Sequence, residues 1–162
     1  MKYDREYILK MHTTNYGNDK MAIEYFINVL SKKTGFAKIY DNNLKMGQYA
    51  FCDIIGWNNH TPSYIELKTR KNTYSYQYPD AGLSEHKYRT ILHNAITTSG
   101  KAWYVAFYLD GYAVIDLLND KPDRLDKWSH KQTTEFGNNA YITEENCPFW
   151  KIENKLHPYV YC

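Results

Sequence analysis

The hydrophobic pattern changes period several times along the chain, and each change predicts an element. Ile23, Phe26, Ile27 and Leu30 recur at helical spacing and make one apolar stripe. Asn18 or Asp19 can cap that helix near Lys20, and Thr34-Gly35 ends it, since glycine tolerates the left-handed conformation. Residues 36–40 read as a short strand, and Asp41-Asn42-Asn43 as a turn. Residues 49–71, YAFCDIIGWNNHTPSYIELKTRK, read as two longer strands joined by the polar turn NNHTP. The first of these is apolar on both faces, as a strand covered on both sides should be. Residues 72–82 have loop composition, with Tyr74, Tyr76 and Tyr78 at alternate positions. Ser84 can cap a second helix running to about Thr98, with Tyr88, Ile91, Leu92, Ala95 and Ile96 on its buried face and Ser99-Gly100 as its stop. Residues 102–109 and 111–118 read as a hairpin around Asp110-Gly111.

The two ends are less legible. Residues 1–17 are polar and aromatic without a clear period. Beyond Lys121 the pattern reduces to a short helical turn over KPDRLDKW and strand-like pieces in WSHKQTTEF and YITEENCPFWKI. Up to residue 118 the order is helix, three strands, helix, two strands. That order predicts an α/β (α+β) fold, a central mixed β-sheet flanked by helices.

Composition narrows this only slightly. At 162 residues one domain is the simplest reading, with a core over about 19–118 and an extension over 119–162. A net charge of +2 neither supports nor excludes a polyanionic partner. The aromatic content, 17% with 17 tyrosines, serves packing first and base stacking second. No window has the length of a transmembrane span, so no membrane partner is expected, and MKYDREYILK lacks the apolar core of a signal peptide. Three cysteines without paired spacing fit a reduced, intracellular, cytoplasmic chain. The six histidines show no metal spacing with them, and the scattered glycines form no phosphate-cradling loop.

Residues 49–71 carry the chemistry. Asp53 lies among Phe51, Cys52, Ile54 and Ile55, while Glu66 and Lys68 stand two apart on one strand and face the same way. Antiparallel pairing across the turn brings Asp53 beside them. Buried charges are costly unless paired or bound to metal, and two hard oxygen donors at one point suit Mg2+. A structural ion pair of Lys68 with Glu66 or Asp53 is the competing explanation. Glu-x-Lys alone is a weak signal: Glu153-Asn154-Lys155 repeats it without an acid-bearing apolar strand before it or a helix after it. Glu24 lies at the edge of the first helix's stripe, either solvated or turned to the metal. Lys87 clusters with Ser84 and His86 at a helix start, where anions are favoured. Lys68, Arg70 and Lys71 lead into the tyrosine-rich loop, which suits a nucleic-acid backbone with exposed bases and equally a solvated strand end.

Asp53, twelve intervening residues and Glu66-Leu67-Lys68 resemble the motif of the PD-(D/E)xK nuclease superfamily. Its core, a helix, a three-stranded run, a helix and a further strand, is similar to the order over residues 19–118, and the broader look is of small phage or bacterial resolvase-like and restriction-like nucleases. The resemblance implies a restriction-endonuclease-like core and metal-dependent hydrolysis of a nucleic-acid phosphodiester, most simply in DNA and as an endonuclease. Asp53 and Glu66 would ligate Mg2+ or Mn2+ with the carbonyl of Leu67 nearby, and Glu24 would be the helical acid. Lys68 would orient or activate water, and Lys87 would touch the scissile phosphate or the water. Cys52 stands where the motif has proline, and the glutamine common in the second helix of resolvase-like members is absent, with Lys87 a stand-in. Cutting both strands at once would call for a homodimer. The alternative is a non-catalytic nucleic-acid-binding or protein-interaction module on the same fold.

Overall fold

The computed structural model describes residues 1–14, 18–133 and 140–162, with side chains for all of these except 18, 48, 129–133 and 140–144. Helices α1 (Arg5–Thr13) and α2 (Asn18–Asn28) come first, followed by a 3-10 turn, Leu30–Lys33. Strand β1 (Lys38–Asp41), the short helix α3 (Asn42–Met46), β2 (Ile54–Asn58) and β3 (Thr61–Thr69) lead to β4 (Asp80–Gly82) and α4 (Glu85–Thr97). The chain ends with β5 (Lys101–Tyr108), β6 (Gly111–Asp116), β7 (Arg124–Thr133), β8 (Ala140–Lys151) and β9 (Leu156–His157).

Six strands form a mixed sheet in the order β1-β2-β3-β5-β6-β9, and β4-β8-β7 form a second sheet. Among the described residues of this sheet only β3 and β5 run parallel, joined through α4; the other neighbours are antiparallel. This is the mixed sheet flanked by helices that the sequence predicts. Alternation along the central strands sorts two cores. Ile54, Ile65, Leu67, Val105 and Phe107 pack with Met11, Ile23, Tyr25 and Phe26 of α1 and α2. Tyr64, Tyr104 and Ala106 face the other way, toward Ile91 and Ala95 of α4 and Trp150 of β8. Glu66 lies in the same alternation as Tyr64, and so on the α4 side.

Several expectations need correction. The amino-terminal residues form α1, whose cap Asp4 accepts from the Tyr7 N–H at 3.0 Å. Asp41-Asn42-Asn43 is a helix start as well as a turn: Asp41 accepts from the N–H groups of Asn43 and Leu44 at 2.9 and 3.2 Å. Regular pairing of the first long strand covers only β2, because a 3-10 turn (Gly47–Tyr49) and irregular backbone occupy its first half. Asn59, at φ 55°, makes the tight turn between β2 and β3. Ser84 caps α4 as expected, and Ile91 and Ala95 are buried, but Ile96 is 67% exposed. KPDRLDKW runs into β7 and is not helical there, since Arg124 onward pairs with β8. The last residues of WSHKQTTEF, 134–136, and the Asn18 side chain lie outside the described residues.

Candidate active site

Asp53 comes just before β2, at a local offset in the pairing. Ile54 is the Cα partner of Ile65, yet the Asp53 N–H also donates to the Ile65 carbonyl at 3.1 Å, so two residues of one strand meet one of the other. Such bulges re-aim a side chain. Here the Asp53 Oδ2 accepts from the Leu67 N–H at 2.8 Å, beyond the last rung of β2. Oδ1 accepts from the Asn43 Nδ2 at 2.9 Å. The Asp53 carbonyl accepts from the Asn42 N–H at 2.8 Å, and the buried Asn42 side-chain amide donates to the Cys52 carbonyl at 3.1 Å. The start of α3 therefore fixes Asp53 against β3. Within a strand a residue's N–H and carbonyl point to the same edge, so the Leu67 carbonyl faces the gap that Asp53 occupies.

Glu66 projects toward α4. It is 8% exposed, and both its oxygens meet the Lys87 Nζ, at 3.1 and 3.2 Å. Burial pushes its carboxyl up to about 8; the Asp53 charge pushes the same way, and Lys87 pulls back. The first-turn acid Asp19 of α2 adds a smaller push. Cys52, completely buried beneath, is raised to about 12 by burial and then by Glu66.

Lys68 is exposed, and among the described residues no ion pair engages it. The competing explanation, a structural pair of Lys68 with Glu66 or Asp53, is therefore not formed among the described residues; Lys87 takes Glu66 instead. A small cleft of about 160 Å³ gathers Glu66, Leu67, Lys68, Arg70, Ser84 and Lys87, with Trp128 of β7 on its wall. Glu24 sits outside this cleft, in a second cavity with Asp19, Asp41 and Asn43, where Tyr7 donates to it at 3.4 Å. The helical acid whose charge reaches Glu66 is Asp19.

The fold has a known counterpart. It is similar to Hjc, a Holliday junction resolvase from the archaeal hyperthermophile Archaeoglobus fulgidus, with a TM-score of 0.50 over 85% of this chain and 88% of that one, at 14% identity. The likeness is one of fold. No family model matches the chain, and no curated protein sequence matches it. Among the described residues no helix is long and apolar enough to cross a membrane, and Cys52, Cys147 and Cys162 are all free thiols.

Sequence reasoning did not place Asn42, Asn43, Asp19 or Trp128 at the site, and named Arg70 only as part of a basic strand end. Only the Asn pair carried a signal, since a short Asp-Asn-Asn run can cap a helix as readily as turn a chain. Among the described residues no group of three or more His, Cys, Asp or Glu side chains is placed to hold a metal. The donors in hand are two carboxylates that act on one another and a carbonyl. That set suits a hard cation which keeps several waters and takes its remaining oxygens from substrate phosphate.

Proposed function

We propose that the protein is a divalent-metal-dependent deoxyribonuclease, with Asp53, Glu66 and the Leu67 carbonyl as the ligand set for Mg2+ or Mn2+. The observation that carries this reading is a buried carboxylate, Glu66, that feels the charge of a second, Asp53, and lines a cleft that also holds two lysines. Repulsion of this kind weakens a fold unless a cation relieves it. When bound, the metal would supply Lewis-acid polarisation of the phosphate and a more acidic water. The chain's own residues do the rest. Asp53 is held by Asn43 and the Leu67 N–H, so its orientation is set before substrate arrives. Lys68 presents an ammonium to water at the cleft, where it can orient the nucleophile and offset charge on the phosphorus centre. Lys87 neutralises Glu66 in the absence of metal and is then free to contact a phosphate oxygen. Asp19 on α2 adds negative charge to the ligand set, and Glu24, in the neighbouring cavity, is left without a role in it. The fold shared with a Holliday junction resolvase supports DNA as the substrate class.

The test is cleavage of plasmid, single-stranded and four-way branched DNA in Mg2+ and in Mn2+, by the unaltered protein and by Asp53→Ala and Lys68→Ala. Loss of cleavage in both variants is expected. Equal activity in all three proteins would leave the binding-module alternative.

A further inference from the structure

The loop between β3 and β4 leaves the cleft and comes back to it. Arg70 lines the cleft on one side and Gly82, Leu83 and Ser84 on the other. The Arg70 guanidinium donates to the Gly82 carbonyl at 3.1 Å and closes the neck. Beyond the neck the loop presents Tyr74, Tyr76 and Tyr78, which are 43%, 75% and 64% exposed. Tyr74 and Tyr76 lie nearly parallel, with ring centroids 5.5 Å apart and planes 17° from each other.

Rings this exposed add little to fold stability, yet the backbone beneath them is held firmly. The Leu109 N–H donates to the Thr73 carbonyl at 2.9 Å, and the Ser75 N–H donates to Asp110 at 2.8 Å. The Tyr74 N–H donates to the Gln77 side chain at 2.8 Å, and the Ile152 N–H to the Pro79 carbonyl at 2.9 Å. A fixed backbone lowers the ordering cost of a contact. An open groove of about 480 Å³ runs beside Tyr76, lined by Ser75, Pro79, Ile152, Asn154 and Leu156 with Glu153 at its edge. The local acids Asp110 and Glu153 make the loop itself a poor attractor of phosphate. Attraction to a backbone is left to the exposed Lys68 of the cleft, and the rings are left to meet bases.

We propose that residues 74–78 are a stacking platform for unpaired nucleobases, so that the cleft takes single-stranded DNA or the unpaired part of a branched molecule. The proposal rests on the nuclease reading and names its substrate class. A continuous duplex keeps its base faces inside the stack, whereas every unpaired base offers a face to an aromatic ring.

The experiment is fluorescence anisotropy with Ca2+ in place of Mg2+, on a labelled oligothymidylate of roughly 16 nucleotides and on a duplex of the same length. Tyr74→Ala and Tyr76→Ala should each weaken oligothymidylate binding roughly five- to hundred-fold, the loss of one stacked base, and change duplex binding less than about twofold. Tyr76→Phe should bind like the unaltered protein, because the ring remains. Equal loss on both substrates, no loss on either, or a Phe variant as weak as the Ala variant would overturn the platform. Should the unaltered protein cut DNA while these variants bind it normally, the platform fails and the nuclease reading stands. An unaltered protein that neither binds nor cuts any DNA would overturn both.

Discussion

Replacing Glu66 by glutamine should stabilise the metal-free protein near pH 7 and leave it almost unchanged near pH 4. The folded carboxyl holds its proton up to about 8, against 4.5 for the free group, through burial first and Asp53 second. A group bound more tightly to its proton in the folded state favours folding fully below 4.5. That contribution is lost as pH rises toward 8. By pH 7 about 2.5 pH units of that window have been crossed, which at about 1.4 kcal/mol each is about 3 kcal/mol. Glutamine keeps the shape and an acceptor for Lys87 without the charge. The folded value of about 8 already contains the opposing pull of Lys87, so no separate cost is subtracted for the ion pair. The net gain is about 3 kcal/mol, or roughly 6–12 °C in Tm for a chain of this size. Urea unfolding in EDTA at the two pH values measures it. A Glu66→Gln protein no more stable than the parent at pH 7, or an advantage that does not change with pH, would refute the buried-carboxylate argument. Millimolar Mg2+ should narrow the gap, since a cation held by Glu66 stabilises only the parent by mass action.

Two further outcomes test the surroundings of the site. Asp53→Ala removes the acceptor for the buried Leu67 N–H, whereas in Asp53→Asn the amide oxygen can keep it and Asn43 can flip so that its own amide oxygen accepts from the new NH2. Denaturant unfolding should therefore find Asp53→Ala less stable than Asp53→Asn by about 1–3 kcal/mol, and equal stabilities would deny Asp53 that structural role. His12 is wholly buried between the Arg70 carbonyl at 3.1 Å and the Tyr159 hydroxyl at 3.0 Å, and burial lowers its pKa below 6.5 despite the carbonyl's opposing pull. Its contribution to stability is present above pH 6.5 and lost as pH falls through the lowered value. The His12→Gln protein should accordingly lose less stability than the parent between pH 7 and pH 5, and an identical loss would count against it.

The central elements were legible because two simple periods mark them. The helical stripe of α2 and α4 and the apolar run of β2 and β3 needed no tertiary information. The amino-terminal helix was missed although Asp4, Tyr7, Ile8 and Met11 follow helical spacing, because the polar and aromatic residues between them blur a short stripe. β4 has three residues and exists through its pairing with β8. No local pattern can announce a partner some 70 residues away. Ile96 was placed in the core by spacing alone, but α4 ends at Thr97, beyond the reach of the sheet that covers Ile91 and Ala95.

At the site, the spacing of Asp53 and Glu66-Leu67-Lys68 carried the grouping, but not how the grouping is built. Strand alternation alone would set Asp53 and Glu66 side by side on one face. The structure instead turns Asp53 along the edge of β3 through the bulge, the Leu67 N–H and the amide of Asn43, and leaves Glu66 to α4 and Lys87. Those supports come from α3 and α4, elements whose contact with β3 depends on the whole fold. The division has a chemical consequence. One carboxylate is oriented by two hydrogen-bond donors and the other by the Lys87 ammonium, so on the proposed metal reading a cation arriving between them would displace only Lys87. On that reading the site would exchange one positive charge for another, and the released lysine would stand with Lys68 in the same cleft, where a phosphate would meet both.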